Sequence, residues 1–183
     1  QPYNSDLQFG TGDFCVINWF KISGTEHTDF NSFYDNGYST SSSSVYFNVG
    51  LINPDGTINF RTRSGGANNN LTSTLGNLDD DAWHCLVCLR RNNVKEIWID
   101  GQLSGTLADD RDVTTSLPLR IGNRADGLRW MQGDLALFRI SATAPSPEQI
   151  AKIYEDEKVL FQENAQATLY GSSDAVTALA YDD

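Results

Sequence analysis

Two strand-like runs with different hydrophobic patterns stand side by side near the middle of the chain. Trp83 to Leu89 is apolar on both faces, with Leu86 and Cys88 set against Cys85 and Val87. Val94 to Ile99 alternates polar and apolar positions instead. Asn92-Asn93 joins them and Asp100-Gly101 closes the second; Asn tolerates the positive φ that tight hairpin turns require. A doubly buried strand beside a half-buried one predicts the middle of a sandwich. Val45–Ile52 and Thr57–Arg63 form a second predicted hairpin around Asn53-Pro54-Asp55-Gly56. Asp13–Ile22 reads as a buried strand, and residues 1–8 as an edge strand or loose lead-in. His27–Ser44 and Ser64–Asn70 read as loops, and Leu78–Asp81 leads into the central hairpin. Short strands at this spacing, with Gly/Asn/Asp turns, predict an all-β sandwich of jelly-roll type.

The pattern changes after residue 144. Ser146-Pro147-Glu148-Gln149 is a capping box with proline at the first helical position. Ile150, Ile153, Tyr154, Glu157, Leu160 and Phe161 follow at helical spacing, predicting one helix to about Asn164. Its first half is expected to pack on the sandwich, and Leu160 and Phe161 to meet a neighbouring subunit. Ala175–Tyr181 alternates and stops where a further strand is expected, as if the chain were cut from something longer. The expected organisation is a sandwich over 1–144, a helix over 145–165 and a tail over 166–183.

Composition narrows the possible partners. The 183 residues carry a net charge of −11 with a pI near 4.4, which argues against nucleic acid and anionic membrane surfaces. Pro145–Asp183 contributes eight acidic and two basic residues, a net −6. No apolar run approaches the roughly 18 residues of a membrane span. The chain opens on Gln, without a basic-then-apolar leader. Cys15, Cys85 and Cys88 are expected to be buried free thiols, which fits assembly in a reducing compartment. Their spacing with His27 and His84 does not suit zinc.

Four segments also carry a resemblance. Trp83-His84, the following strands and Trp98-Ile99-Asp100-Gly101 resemble the LamG and concanavalin A-like lectin/glucanase superfamily. So do Gly12–Phe20, Leu117–Asn123 and Gly133–Ile140, and the resemblance covers roughly Phe9 to Glu157. It implies a concanavalin A-like jelly-roll β-sandwich, here with a C-terminal α-helix. Ala142–Ala167, continuing through Tyr170–Tyr181, is similar to LamG-like modules of bacteriophage tail-fibre and other virion proteins. That similarity implies an adhesion module of a homotrimeric fibre, assembled in the bacterial cytoplasm and recognising a host cell-surface glycan or receptor.

The glucanase branch of the superfamily places catalytic carboxylates as Glu-x-Asp-x-Glu, because period-2 spacing points all three into one cleft. No such triplet occurs here. Glu96 and Asp100 share a face, but Trp98 stands between them, and Glu155-Asp156-Glu157 falls on the helix. Nucleophile elbow, His-Glu-x-x-His and phosphate-loop patterns are also missing from the sequence, so a non-enzymatic module is expected. LamG-type domains often hold Ca²⁺ at a sheet rim through oxygen donors. The candidate ligands are Asp109, Asp110 and Asp112, with Asn123, and a second set at Asp79, Asp80 and Asp81.

Sugar binding needs aromatic faces and planar polar groups. Of four tryptophans, Trp19 and Trp83 occupy core-like positions, and Trp98 shares a face with Glu96. Met131 falls where the family buries a hydrophobe, so alternation turns Trp130 outward, beside Arg124, Asp126 and Arg129. Trp130 then either stacks on a sugar or caps a hydrophobic edge. Tyr34, Asp35, Asn36 and Tyr38 form a second aromatic-polar cluster, for a ligand or for loop packing. His84 is expected to be a structural hydrogen-bonder, and Asn70-Leu71-Thr72 is an isolated glycosylation sequon. The leading reading is carbohydrate or surface recognition; the alternatives are a structural spacer or trimerisation module, and a glycoside hydrolase.

Overall fold

A computed structural model describes residues 4–23, 30–38, 44–124 and 126–162. After a single 3-10 turn at Ser5–Leu7, ten strands follow in chain order. They are β1 Phe14–Ser23, β2 Phe30–Asn36, β3 Tyr46–Ile52, β4 Thr57–Ser64 and β5 Ala67–Thr72, then β6 Asp80–Arg91, β7 Val94–Ile99, β8 Gln102–Ala108, β9 Leu119–Ile121 and β10 Asp134–Ser141. The helix α1 spans Pro147–Glu157, and a 3-10 turn continues it over Lys158–Phe161. Strands pair antiparallel in two five-stranded sheets, ordered β10-β1-β6-β7-β8 and β5-β4-β3-β2-β9.

The expected fold class is the observed one, and both predicted hairpins are present. Asn92 and Asn93 take φ of 49° and 61°, the twist a two-residue hairpin turn requires. Asp100 and Gly101, at φ 51° and 75°, make an equivalent turn into β8. Three strands were not expected. Phe30–Asn36 lies in the segment read as loop, Ala67–Thr72 largely in the Gly/Asn stretch, and Gln102–Ala108 was not assigned. Each is rich in residues with weak strand preference and is held by pairing to a neighbour.

The inner faces meet in one aromatic-rich core. Phe14 packs there on Phe47 and Phe60, with ring centroids 5.1 and 6.0 Å away. Lys95 shares this inner face with Ile97 and Ile99, all three buried, whereas Val94 and Glu96 on the outer face stay partly exposed, the half-buried pattern expected of β7. Its ammonium donates to the carbonyls of Phe60 (3.1 Å) and Asn69 (2.7 Å) and to Thr62 Oγ1 (3.2 Å). Arg90, also fully buried, donates to the carbonyls of Gly10, Gly12 and Arg111. Asp109 supplies the counter-charge, 3.5 Å from Arg90.

A second apolar layer lies on the outer face of the first sheet. Cys15, Ile17, Val87, Leu89 and Trp98 pack there beneath Ile150 of α1. Ser146 caps the helix as predicted, its hydroxyl accepting from Gln149 N while Gln149 returns the bond. Burying Ile150 contributes about 1.5–3 kcal/mol to this docking. Trp19 is buried under the helix and not between the sheets. Its indole stacks on Phe161 at 4.3 Å and on Tyr154 at 5.9 Å. Phe161 also meets Trp83 at 4.7 Å. Phe161 therefore serves this chain's own sandwich, a correction to its expected contact with a neighbour, whereas Leu160 is 65% exposed. The three cysteines are free and buried, as expected. His27, the end of the expected helix at Asn164 and the tail over 166–183 lie outside the described residues.

Candidate functional site

The outer face of the second sheet is polar across its whole width. Because Phe47, Val49, Ile58 and Phe60 point inward, strand alternation turns Asn48, Asn59, Arg61 and Arg63 outward. Register then assembles one continuous rung over all five strands: Arg120 of β9 opposite Asp35, Asp35 opposite Asn48, Asn48 opposite Arg61, and Arg61 opposite Asn70. A second rung joins Ser32, Gly50, Asn59 and Thr72. The first rung is buried at its centre, at Asp35 and Asn48, and opens to solvent at Arg120 and Asn70.

Several groups of this floor hold unused hydrogen-bonding capacity. Asn48 donates through Nδ2 to Ser32 Oγ and to the Tyr34 carbonyl, both at 3.1 Å, and its Oδ1 has no partner. Asn59 spends Nδ2 on Leu71 and Thr72, again leaving Oδ1 unmatched. Asp35 Oδ1 accepts from the Tyr38 N–H at 2.8 Å, while Oδ2 has no partner. Burial pushes the Asp35 carboxyl up to about 7, partly offset by the Tyr38 and Gly37 amides and by Arg124. An unmatched buried acceptor costs roughly 1–3 kcal/mol, so these three positions lower the stability of the sheet.

Beside this floor, sharing Arg61 with it, lies a cleft of about 320 Å³ lined by Phe30, Tyr38, Ile52, Arg61, Arg124 and Arg129. Gly50 lets Phe30 lie across the sheet: a Cβ there would sit 2.5 Å from the Phe30 ring and 2.2 Å from the Asn31 carbonyl. Arg124 lies over the Tyr38 ring, 4.0 Å from its centroid, and is clamped by the Asp126 carboxylate through Nε and Nη2. Arg129 takes φ 60°, and its carbonyl accepts from Ser32 N at 3.0 Å, tying this loop to β2. Trp130 is half exposed and Met131 packs on the core, as alternation predicted.

The sequence-predicted residues divide accordingly. Arg124, Asp126, Arg129 and Tyr38 come together at the cleft, with Trp130 next in the chain but outside its lining. Tyr34, Asp35 and Asn36 do not form an exposed loop, because they belong to β2 and are buried. The Tyr34 ring is core, edge-on to Phe47 and Phe138, which removes it as a ligand contact. Asp35 belongs to the floor. Arg61, Asn48, Asn59 and Phe30 were missed, although the alternation of Thr57–Arg63 already placed Asn59 and Arg61 on one face.

The calcium candidates do not form a shared site. Asp109 is internal, accepting from Thr62 Oγ1 at 2.8 Å and Asn69 Nδ2 at 3.2 Å between Arg90 and Arg111. Guanidinium groups on both sides make this a poor setting for a divalent cation. Asp110 and Asp112 are exposed, and Asp112 accepts from Thr114 N. Asn123 follows β9, at the opposite edge of the second sheet from the β5 contact of Asp109. Of the other set, Asp80 binds His84 and the Ala82 amide, and Asp81 pairs with Lys21 at 3.3 Å. No group of three acidic, His or Cys side chains suited to a metal occurs among the described residues.

His84 is the structural hydrogen-bonder expected, with Nδ1 2.8 Å from Asp100 and Nε2 3.2 Å from Asp80. Burial alone would lower its pKa, but the two carboxylates outweigh it and hold the imidazole above its ordinary value. Glu96 is engaged by Arg91 and by the Trp98 indole at 2.7 Å, so Glu96 and Asp100 each serve a local contact. A larger groove of about 640 Å³ lies on the other side, between β1, β10 and α1. Cys15, Ile17, Ile140 and Ile153 give it an apolar floor, which matches hydroxyl groups less well than the rungs of the second sheet do.

The chain belongs to the concanavalin A-like lectin/glucanases superfamily, whose Laminin_G_3 profile matches residues 3–151. Among solved structures it is similar to the CBM40 of a Ruminococcus gnavus IT-sialidase, at 12% identity and TM-score 0.67, covering 83% of this chain and 91% of that one. The same CBM40 bound to α2,3 sialyllactose matches at TM-score 0.65, 12% identity and the same coverage. The native heptameric SAP-like pentraxin of Limulus polyphemus matches at TM-score 0.58 and 13% identity, covering 84% of this chain and 79% of that chain. At these identities the likeness establishes the fold. No curated protein sequence matches the chain.

Proposed function

We propose that this chain is a non-enzymatic, lectin-like carbohydrate-binding module whose ligand lies on the outer face of the second sheet. The observation that carries the reading is the cleft where Arg61, Arg124, Arg129 and Tyr38 meet at the side of the five-strand polar rung. The guanidinium groups at the cleft donate to sugar oxygens, and Tyr38 and Trp130 offer ring faces at its margin. Similarity to a structure described as bound to α2,3 sialyllactose supports the same reading. A glycan array with the full chain tests it. Specific retention of at least one glycan, weakened by Trp130→Ala with the melting temperature little changed, is the expected outcome. Absence of binding to every glycan class would remove the function.

The resemblance of residues 142–181 to tail-fibre modules supports a finer reading: a receptor-recognition module on a phage tail or virion surface, meeting a host glycan. A second reading, a spacer or trimerisation element, draws on the exposed Val159 and Leu160 at the end of the helical segment. Mass measurement in solution separates the two. A trimer lost on Leu160→Glu favours assembly; a monomer that binds glycans favours recognition alone.

A further inference from the structure

The acidic chain concentrates positive charge on the candidate binding face. Arg61, Arg63, Arg120, Arg124 and Arg129, five of the thirteen Lys and Arg residues, project from the outer strand positions or the loop beside them. Among these, Arg124 is matched by Asp126. Arg61 differs. Asn70 Oδ1 holds its Nε at 2.9 Å, and its two terminal nitrogens make no hydrogen bond among the described residues. A guanidinium oriented through Nε by a neutral amide presents its free fork in a fixed plane, the geometry that takes up a carboxylate through two parallel bonds. The fork lines the cleft beside Tyr38, Arg124 and Arg129, and its rung neighbour is the buried Asn48.

We infer that Arg61 receives the carboxylate of an acidic sugar, with the ring of that sugar in the cleft between Tyr38 and Arg129. The inference rests on the glycan-binding reading and narrows its ligand class to carboxylate-bearing glycans. Arg124, neutralised by Asp126 and stacked on Tyr38, acts as a wall of the cleft. Arg61 combines a guanidinium held by Asn70 with the lack of a carboxylate partner among the described residues, and it lines the cleft.

The test is a binding titration of the full chain with α2,3-sialyllactose, its carboxyl methyl ester, lactose and a sulfated lactose, repeated with Arg61→Gln and Arg61→Lys. The expected result is binding of sialyllactose alone, weakened about tenfold or more by Arg61→Gln and by loss of the acid in the ester. Arg61→Lys, which keeps the charge and loses the fork, also weakens it, and it remains informative if the Gln variant folds poorly. Equal binding of the sulfated and carboxylated sugars overturns the carboxylate assignment. Binding of lactose unaffected by either Arg61 variant overturns the acidic subsite and leaves glycan binding standing. If a wider array yields no ligand, the glycan reading itself fails and this inference with it.

Discussion

The indole of Trp19 donates to the Glu157 carboxylate at 2.8 Å, joining the first strand to the end of the helix across 138 residues of sequence. Glu157 also accepts both terminal nitrogens of Arg139, at 2.6 and 2.9 Å, so one carboxylate ties β1, β10 and α1 together. Trp19→Ala removes this anchor and the stacking platform of Tyr154 and Phe161, and is expected to cost about 3–5 kcal/mol. Glu157→Gln, which keeps the shape, is expected to cost about 1 kcal/mol. Urea denaturation followed by tryptophan fluorescence measures both; equal costs would mean that packing contributes little at this contact.

The buried charges at the other end of the sandwich make a second prediction. Asp109→Asn leaves Arg90 and Lys95 uncompensated in the interior and is expected to cost about 3–5 kcal/mol. Lys95→Met replaces a buried cation by an apolar chain and is expected to cost far less. Burial pushes the Lys95 ammonium down to about 7, with Asp109 offsetting part of the effect. Between that value and the ordinary lysine range the unfolded chain binds the extra proton, so wild-type stability rises from pH 7 toward pH 10. Thermal melts of the Lys95→Met variant should lack this rise.

Asp35 has the opposite sign. With its carboxyl pushed up to about 7 by burial, the folded protein holds a proton that the unfolded chain has already lost above about pH 4. Stability therefore falls as pH climbs from 4 to 7 and levels off above. Asp35→Asn abolishes that slope, and the variant should gain on wild type with rising pH. Parallel curves for the two proteins would show that Asp35 titrates normally.

Gly50 is a packing requirement of the candidate face. A methyl group there meets Phe30 and the Asn31 carbonyl well inside contact distance, so Gly50→Ala must displace Phe30 or part β2 from β3. A loss of about 1–3 kcal/mol is expected. Glycan affinity should fall with it, because Phe30 lines the cleft. Unchanged stability would show that β2 shifts freely.

Much of the scaffold was legible because its signals are local. Two asparagines able to take positive φ set the β6–β7 hairpin, and Ser146 with Gln149 set the helix start. The binding face was harder to read. Phe30–Asn36 and Ala67–Thr72 are rich in Asn, with Ser and Asp in the first, residues that favour turns when isolated. They become strands because β3 and β4 supply partners, a non-local contribution that periodicity does not register. Read as a loop, Phe30–Asn36 makes Tyr34 look like a ligand contact and leaves the rung of Asp35, Asn48 and Arg61 without its second strand. Arg124, Asp126 and Arg129 were legible as a group since they are close in sequence. Arg61 became visible only through register.

The placement of α1 gives the molecule a front and a back. The helix closes the outer face of the first sheet, whereas the polar rungs occupy the outer face of the second, with the full thickness of the sandwich between them. Lys152, whose side chain is 73% exposed on the helix, is therefore a handle on the back. A fluorophore or surface tether attached there leaves the cleft facing solution, so immobilised and free protein should report the same ligand preference.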